Sequence, residues 1–172
     1  MKINYRDMKK MESLVSETST PLAVGQHAPQ FSLADAAGKQ VSLSDYADKN
    51  VVVYFYPKAA TPGCTTEACD FRDNLNSMRA AGYEVLGISP DQGEALTSFS
   101  EAEELNFPLL SDPDFAVATA YGSYGAKEFN GKKFSGTLRS TVVIDGDGVI
   151  SHAEYNVAAD GHVARLRETL GI

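Results

Sequence analysis

Basic clusters are missing from this chain, which has no cationic run longer than Lys132-Lys133 against a net charge of −8. That balance argues against nucleic acid or an anionic membrane surface as a partner. No apolar stretch approaches the ~20 residues of a membrane span. The first twenty residues have no apolar core and contain acidic groups, so they do not read as a signal peptide. Cysteine is scarce, with only Cys64 and Cys69. Without a signal peptide, two cysteines fit a reducing compartment, the cytoplasm, where such pairs are more often catalytic or redox-active than structural. Histidine is scarce too: His27, His152 and His162 are scattered, and with two cysteines they do not supply the four ligands at paired spacings that structural zinc requires. There is no internal repeat and no low-complexity linker. The 172 residues read as one domain burying roughly 70% of its unfolded surface, and 43% hydrophobic with 22% charged residues is an ordinary globular composition.

What is present is concentrated in Val51 to Asp73. The β-branched and aromatic run Val51 to Tyr56 stops at Pro57 and leads through Thr61, Pro62 and Gly63 to Cys64, which reads as a buried strand feeding a turn. From Thr65 onward Ala68, Phe71, Leu75 and Met78 recur at helical spacing, with Gly82 placed to end the helix. Cys64 therefore falls at a helix N-terminus, where free N–H groups and the positive end of the dipole favour an anion, and so a thiolate. Cys69 lies one and a half turns further on.

Residues 1–20 read as an N-terminal extension, with Met8, Met11, Leu14 and Val15 at helical spacing, and 21–172 as a single domain. Residues 30–33 and 40–43 alternate around Asp35 to Lys39 as an antiparallel hairpin. Tyr83 to Ser89 is a further strand, Gln92 to Leu105 an amphipathic helix, residues 107–110 a short strand and residues 115–121 one or two helical turns. Gly122 to Gly136 reads as a glycine-rich loop. Thr137 to Ile144 and Val149 to Tyr155 flank the hairpin signal Asp145-Gly-Asp-Gly148. That turn lacks the twelfth-position glutamate of a calcium loop, since Asn156 stands there. A closing helix carries Val163, Leu166 and Leu170, and His162 in its first turn is assigned no role. The order implies an α/β fold with a mixed central sheet covered by helices on both faces, a thioredoxin-like sandwich with an added N-terminal β-hairpin.

The segment Pro57-Lys-Ala-Ala-Thr61-Pro-Gly-Cys64 resembles the PxxxTxxC signature of the peroxiredoxins. Its continuation, Thr65 to Asp73, resembles the peroxiredoxin Q branch, also called bacterioferritin comigratory protein. The resemblance runs from about Gly25 through most of the chain and includes Leu138-Arg139-Ser140-Thr141, where the family carries its catalytic arginine. It departs at Ala59-Ala60, where many relatives have polar residues. It implies the thioredoxin-like fold independently. It also implies a peroxidase in which Cys64 attacks hydrogen peroxide or an alkyl hydroperoxide, Cys69 resolves the product as a disulfide, Thr61 and Arg139 hold the peroxide, Glu67 orients the arginine and Pro57 shields the site. No metal or organic cofactor is needed, because sulfur is the redox centre. The implied reductant is thioredoxin, with a glutaredoxin-type dithiol as alternative, and the implied assembly is a monomer or weak homodimer. Packing stays open as the role of Cys69. A thiol–disulfide oxidoreductase, or a redox sensor or holdase on the same fold, is the rival reading.

Overall fold

The structure, a computed structural model, describes residues 19–172. The helical spacing of Met8, Met11, Leu14 and Val15 lies outside the described residues. In chain order the elements are β1 (Ser32–Ala34), β2 (Gln40–Ser42), a 3-10 turn (Leu43–Tyr46), β3 (Asn50–Phe55), α1 (Pro62–Ala80), β4 (Tyr83–Ser89), α2 (Gly93–Ala102), β5 (Leu109–Ser111), α3 (Ala116–Ala120), β6 (Tyr124–Phe129), β7 (Lys132–Thr137), β8 (Ser140–Ile144), β9 (Ile150–Glu154) and α4 (His162–Leu170).

Five strands form the central sheet in the order β5-β4-β3-β8-β9. β3 runs parallel to β4 and antiparallel to β8, so the sheet is mixed. Its central strand is buried on both faces, and a strand so placed reads as a continuous apolar run. Side chains alternate across it. Val52, Tyr54 and Tyr56 enter one core with Phe71 and Leu75 of α1, Leu96 and Phe99 of α2, and Val163 and Leu166 of α4. Val51, Val53 and Phe55 enter the other, closed by Val41 of the β1–β2 hairpin, Leu43, Ala118 of α3 and Tyr121. The thioredoxin-like arrangement and its N-terminal hairpin are as the sequence implied.

α1 begins earlier than the residue preferences alone suggested. Thr61 is its extended N-cap and Pro62 its first residue, a position where proline's missing N–H costs nothing and its fixed φ suits the helix. Cys64 is thus the third helical residue. Beyond the C-cap Ala81, Gly82 takes a φ of +90°, the left-handed conformation glycine adopts without strain. α2 ends at Ala102 and not at Leu105, because the chain turns back there: Leu105 N–H bonds to Ser100 O at 2.9 Å.

Two expectations are corrected. The stretch 122–136 is not a loop, since β6 and β7 pair antiparallel from Tyr124–Thr137 to Phe129–Lys132. The connecting Asn130 and Gly131 have φ of +50° and +77°, the two positive values a tight hairpin needs, and Asn-Gly is its commonest sequence. The second correction concerns the single strand expected over Thr137 to Ile144. Thr137 closes β7 and Ser140 opens β8, leaving Leu138 and Arg139 outside both ladders. Leu138 N–H is held by Ser123 O at 2.7 Å and Arg139 O by Val157 N–H at 2.9 Å. That break frees the Arg139 side chain to leave the sheet.

Candidate active site

The loop between β3 and α1 is tied down before it reaches Cys64. Ala59 N–H donates to Asp91 Oδ2 at 2.7 Å, and the same oxygen accepts from Ser89 Oγ, 2.8 Å away at the end of β4. Ala60 has a φ of +63°, a left-handed conformation costing a residue with a β-carbon roughly 1–2 kcal/mol. Thr61 Oγ1 donates to Lys58 O at 2.7 Å, so its proton is committed to the loop and its lone pairs remain to accept. The first intrahelical bond runs from Thr65 N–H to Thr61 O at 2.9 Å. The N–H groups of Gly63 and Cys64 precede it and are left for an oxygen or anion at the site.

Cys64 is buried, with 1% of its surface exposed, in the core that holds Tyr54, Tyr56 and Phe71. Phe71 stacks on Tyr54 in that core with ring centres 4.6 Å apart. Cys64 and Glu67 are three apart and share a face of α1. One guanidinium spans both: Arg139 Nη2 donates to Cys64 Sγ at 3.2 Å and Nη1 to Glu67 Oε1 at 2.8 Å. Gly63 makes room for this fork, since a β-carbon there would lie 3.3 Å from Arg139 Nη2. Burial works against the arginine's charge, but Glu67 and Cys64 outweigh it and hold the guanidinium protonated.

Pro57 borders a cleft of about 360 Å³ lined also by Lys127, Leu138, Arg139 and Val157. The β6–β7 hairpin supplies Lys127, whose Nζ donates to Thr137 O at 2.7 Å and whose pKa is pushed down by burial and by Arg139. Both cysteines are reduced, and where Cys64 is buried Cys69 is half-buried. It sits in the same regular helix but bonds elsewhere, its Sγ donating to Glu103 Oε2 at 3.3 Å. Hydrogen bonds thus join Cys64, Glu67 and Arg139, Pro57 borders the same cleft as Arg139, Thr61 caps the helix that carries Cys64, and Cys69 bonds elsewhere. Sequence reasoning missed Asp91 and Glu103, neither of which carries a local signal. It missed Lys127 through the overlooked Asn-Gly turn.

Two buried groups oppose each other in pH dependence. Glu67 is fully buried, and its Oε2 has no hydrogen-bond partner among the described residues. Burial raises its pKa to about 7 against the pull of Arg139. Its folded state holds the proton more tightly than the unfolded chain, so its contribution to stability is full below about 4.5 and is lost as pH rises through about 7. His162 is buried beside Thr141 Oγ1, 2.8 Å from Nε2, and burial lowers its pKa to about 4. Its contribution is present above about 6.5 and is lost as pH falls through about 4. The two slopes have opposite signs. Glu67→Gln removes one of them, so its stability relative to wild type is expected to rise by on the order of 1 kcal/mol per pH unit between about pH 4.5 and 7. Urea denaturation of both proteins across that range measures it, and parallel profiles reject the assignment.

The AhpC/TSA family profile matches residues 24–153. A Mycobacterium tuberculosis (strain H37Rv) protein assigned as a peroxiredoxin is 56% identical over 154 residues, covering 90% of this chain and 98% of its own. Peroxiredoxin Bcp of Escherichia coli K12 is 49% identical over 142 residues, covering 83% and 91%. Among solved structures, a mutant of Xylella fastidiosa PrxQ superposes with a TM-score of 0.83 at 29% identity, covering 89% of this chain and 98% of that one. A mutant of Xanthomonas campestris peroxiredoxin Q gives 0.77 at 35%, covering 82% and 90%. Among the described residues no helix is long and apolar enough to cross a membrane. With a buried cysteine at a helix N-terminus under an arginine fork, and relatives of this kind along nearly its whole described length, the chain belongs to the AhpC/TSA family as a peroxiredoxin of the Bcp and peroxiredoxin Q type, a thiol peroxidase.

Proposed function

We propose that this protein reduces hydrogen peroxide and alkyl hydroperoxides through Cys64, that Cys69 resolves the product, and that a thioredoxin-type dithiol in the cytoplasm recycles it. The observation that carries the reading is the Arg139 fork on Cys64 Sγ and Glu67 Oε1 at the start of α1. Cys64 Sγ attacks one peroxide oxygen, the O–O bond breaks, and the other oxygen leaves as water or alcohol, giving a sulfenic acid. An ordinary thiol with pKa near 8.5 is only ~3% ionised at pH 7, so ionisation alone gains at most about 30-fold. Enzymes typically reach at least ~10⁶. Positioning and stabilisation of charge on the leaving oxygen supply most of the difference. Arg139 and the N–H groups of Gly63 and Cys64 are the donors for that charge, Thr61 Oγ1 accepts the peroxide O–H, and Pro57 limits access of water. Stopped-flow mixing of reduced protein with micromolar hydrogen peroxide tests the reading. Rapid consumption of one equivalent is expected, whereas slow reaction favours the thiol–disulfide oxidoreductase or sensor. Gel filtration across concentration tests the expected assembly, a monomer or weak homodimer.

The resolving step requires α1 to open. Side chains five apart in an α-helix point about 140° away from each other, with Cα atoms roughly 8–9 Å apart, while a disulfide tolerates at most about 7 Å. Both cysteines lie in the regular helix Pro62–Ala80 in the reduced protein. Oxidation is therefore expected to unwind α1 around Thr65 to Asp70 and to expose the disulfide to its reductant. Amide hydrogen exchange on the two redox states measures this, and an oxidised protein whose Thr65 to Asp70 amides stay as protected as in the reduced form contradicts it.

A further inference from the structure

Cys69 is held from outside its own helix. Its acceptor, Glu103, is the residue at which α2 ends. A helix's last carbonyls have no intrahelical donor. Here Glu103 O accepts from Arg72 Nη1 at 2.6 Å, and Asn106 Nδ2 donates to Arg72 O at 3.3 Å. Arg72 follows Cys69 by one turn on α1, so Glu103 grips two neighbouring side chains, one with its carboxylate and one with its carbonyl. Glu104, next in the chain, has a φ of +50°. Glycine would adopt that conformation freely, and strain of this kind persists where the surroundings enforce it. The strained turn directly follows the residue that reaches α1.

We propose that Glu103 is a latch on the resolving thiol: it keeps Cys69 protonated and docked against the end of α2 while Cys64 meets peroxide, and its release sets the rate of disulfide formation. The proposal rests on Cys69 being the resolving cysteine. In that step the Cys69 thiol gives up its proton and its Sγ attacks the Sγ of the Cys64 sulfenic acid. The S–S bond forms, the S–O bond breaks, and hydroxide takes up a proton and leaves as water; the Cys69 sulfur is oxidised and the Cys64 sulfur reduced. A thiol that donates to a carboxylate is favoured over its thiolate. Burial pushes the Cys69 thiol up, Glu103 and Asp73 add to this, and Arg72 opposes them. Cys69 must also abandon Glu103 to reach Cys64, because the two cysteines point away from each other on the helix.

The test is a single turnover of the reduced full chain with one equivalent of hydrogen peroxide at several pH values, acid-quenched, alkylated and read by mass spectrometry. Glu103→Gln and Glu103→Ala are expected to form the Cys64–Cys69 disulfide roughly 3- to 10-fold faster, the worth of one hydrogen bond. Their pH midpoint for that step should fall, their sulfinic acid at excess peroxide should decrease, and the peroxide-consuming step should be unchanged. Arg72→Met, which removes the cation favouring the thiolate, should move the midpoint upward. An unchanged or slower disulfide step in both Glu103 variants, with the wild-type midpoint, overturns the latch alone. A wild-type protein that forms no such disulfide overturns the role of Cys69 and the latch with it.

Discussion

Cys64→Ser is expected to abolish peroxide reduction, and Cys69→Ser to leave the first turnover intact while ending catalysis. A serine hydroxyl in the same buried position under Arg139 has neither an accessible anionic form nor the nucleophilicity of sulfur, and the sulfur is the only redox centre the reaction uses. The loss should be to background, at least ~10⁶-fold if the chain works at an ordinary enzymatic rate. Cys69 sits apart, bonded to Glu103 and not to the Arg139 fork, so its thiol is expected to take no part in the attack on peroxide. Cys69→Ser should consume one equivalent at the wild-type rate and accumulate sulfenic acid, which further peroxide carries to sulfinic acid. Stopped-flow consumption with mass spectrometry of the trapped sulfur species separates the two. Equal loss of the first step in both variants would reject the division of roles.

Arg139→Lys is expected to slow the first step by roughly 10²-fold although the charge is kept, the scale of losing one preorganised donor at a developing oxyanion. The guanidinium meets Cys64 Sγ with Nη2 and Glu67 Oε1 with Nη1, a planar fork whose geometry an ammonium on a flexible stem does not reproduce. A lysine that keeps the Glu67 ion pair leaves the sulfur without its donor, and one that reaches the sulfur abandons a carboxylate with no exposed surface. The second-order rate constant for hydrogen peroxide is the measurement. An unchanged value would make Arg139 a structural partner of Glu67 and nothing more.

Local relations along the chain were legible before the fold was known. The run Val51 to Tyr56, the position of Cys64 at a helix N-terminus and the separation of Cys64 from Cys69 follow from the periods of strand and helix. The same periods placed β1–β2, β4 and the turn at Asp145. They failed where glycine content hid an Asn-Gly hairpin, and where one apolar run, Thr137 to Ile144, belongs to two ladders with Arg139 in the gap.

Sequence by itself thus determined the buried strand, the helix-start position of Cys64 and, through the resemblance, the identity of its arginine. Only the tertiary structure decided that Arg139, 75 residues away, divides its fork between Cys64 and Glu67. It also decided that Asp91 anchors the loop at Ala59 and that Glu103, 34 residues on, holds Cys69. The physical reason is that periodicity encodes which side of its own element a residue occupies. Which residues of other elements meet it there is set by how the sheet orders its strands and where each helix ends.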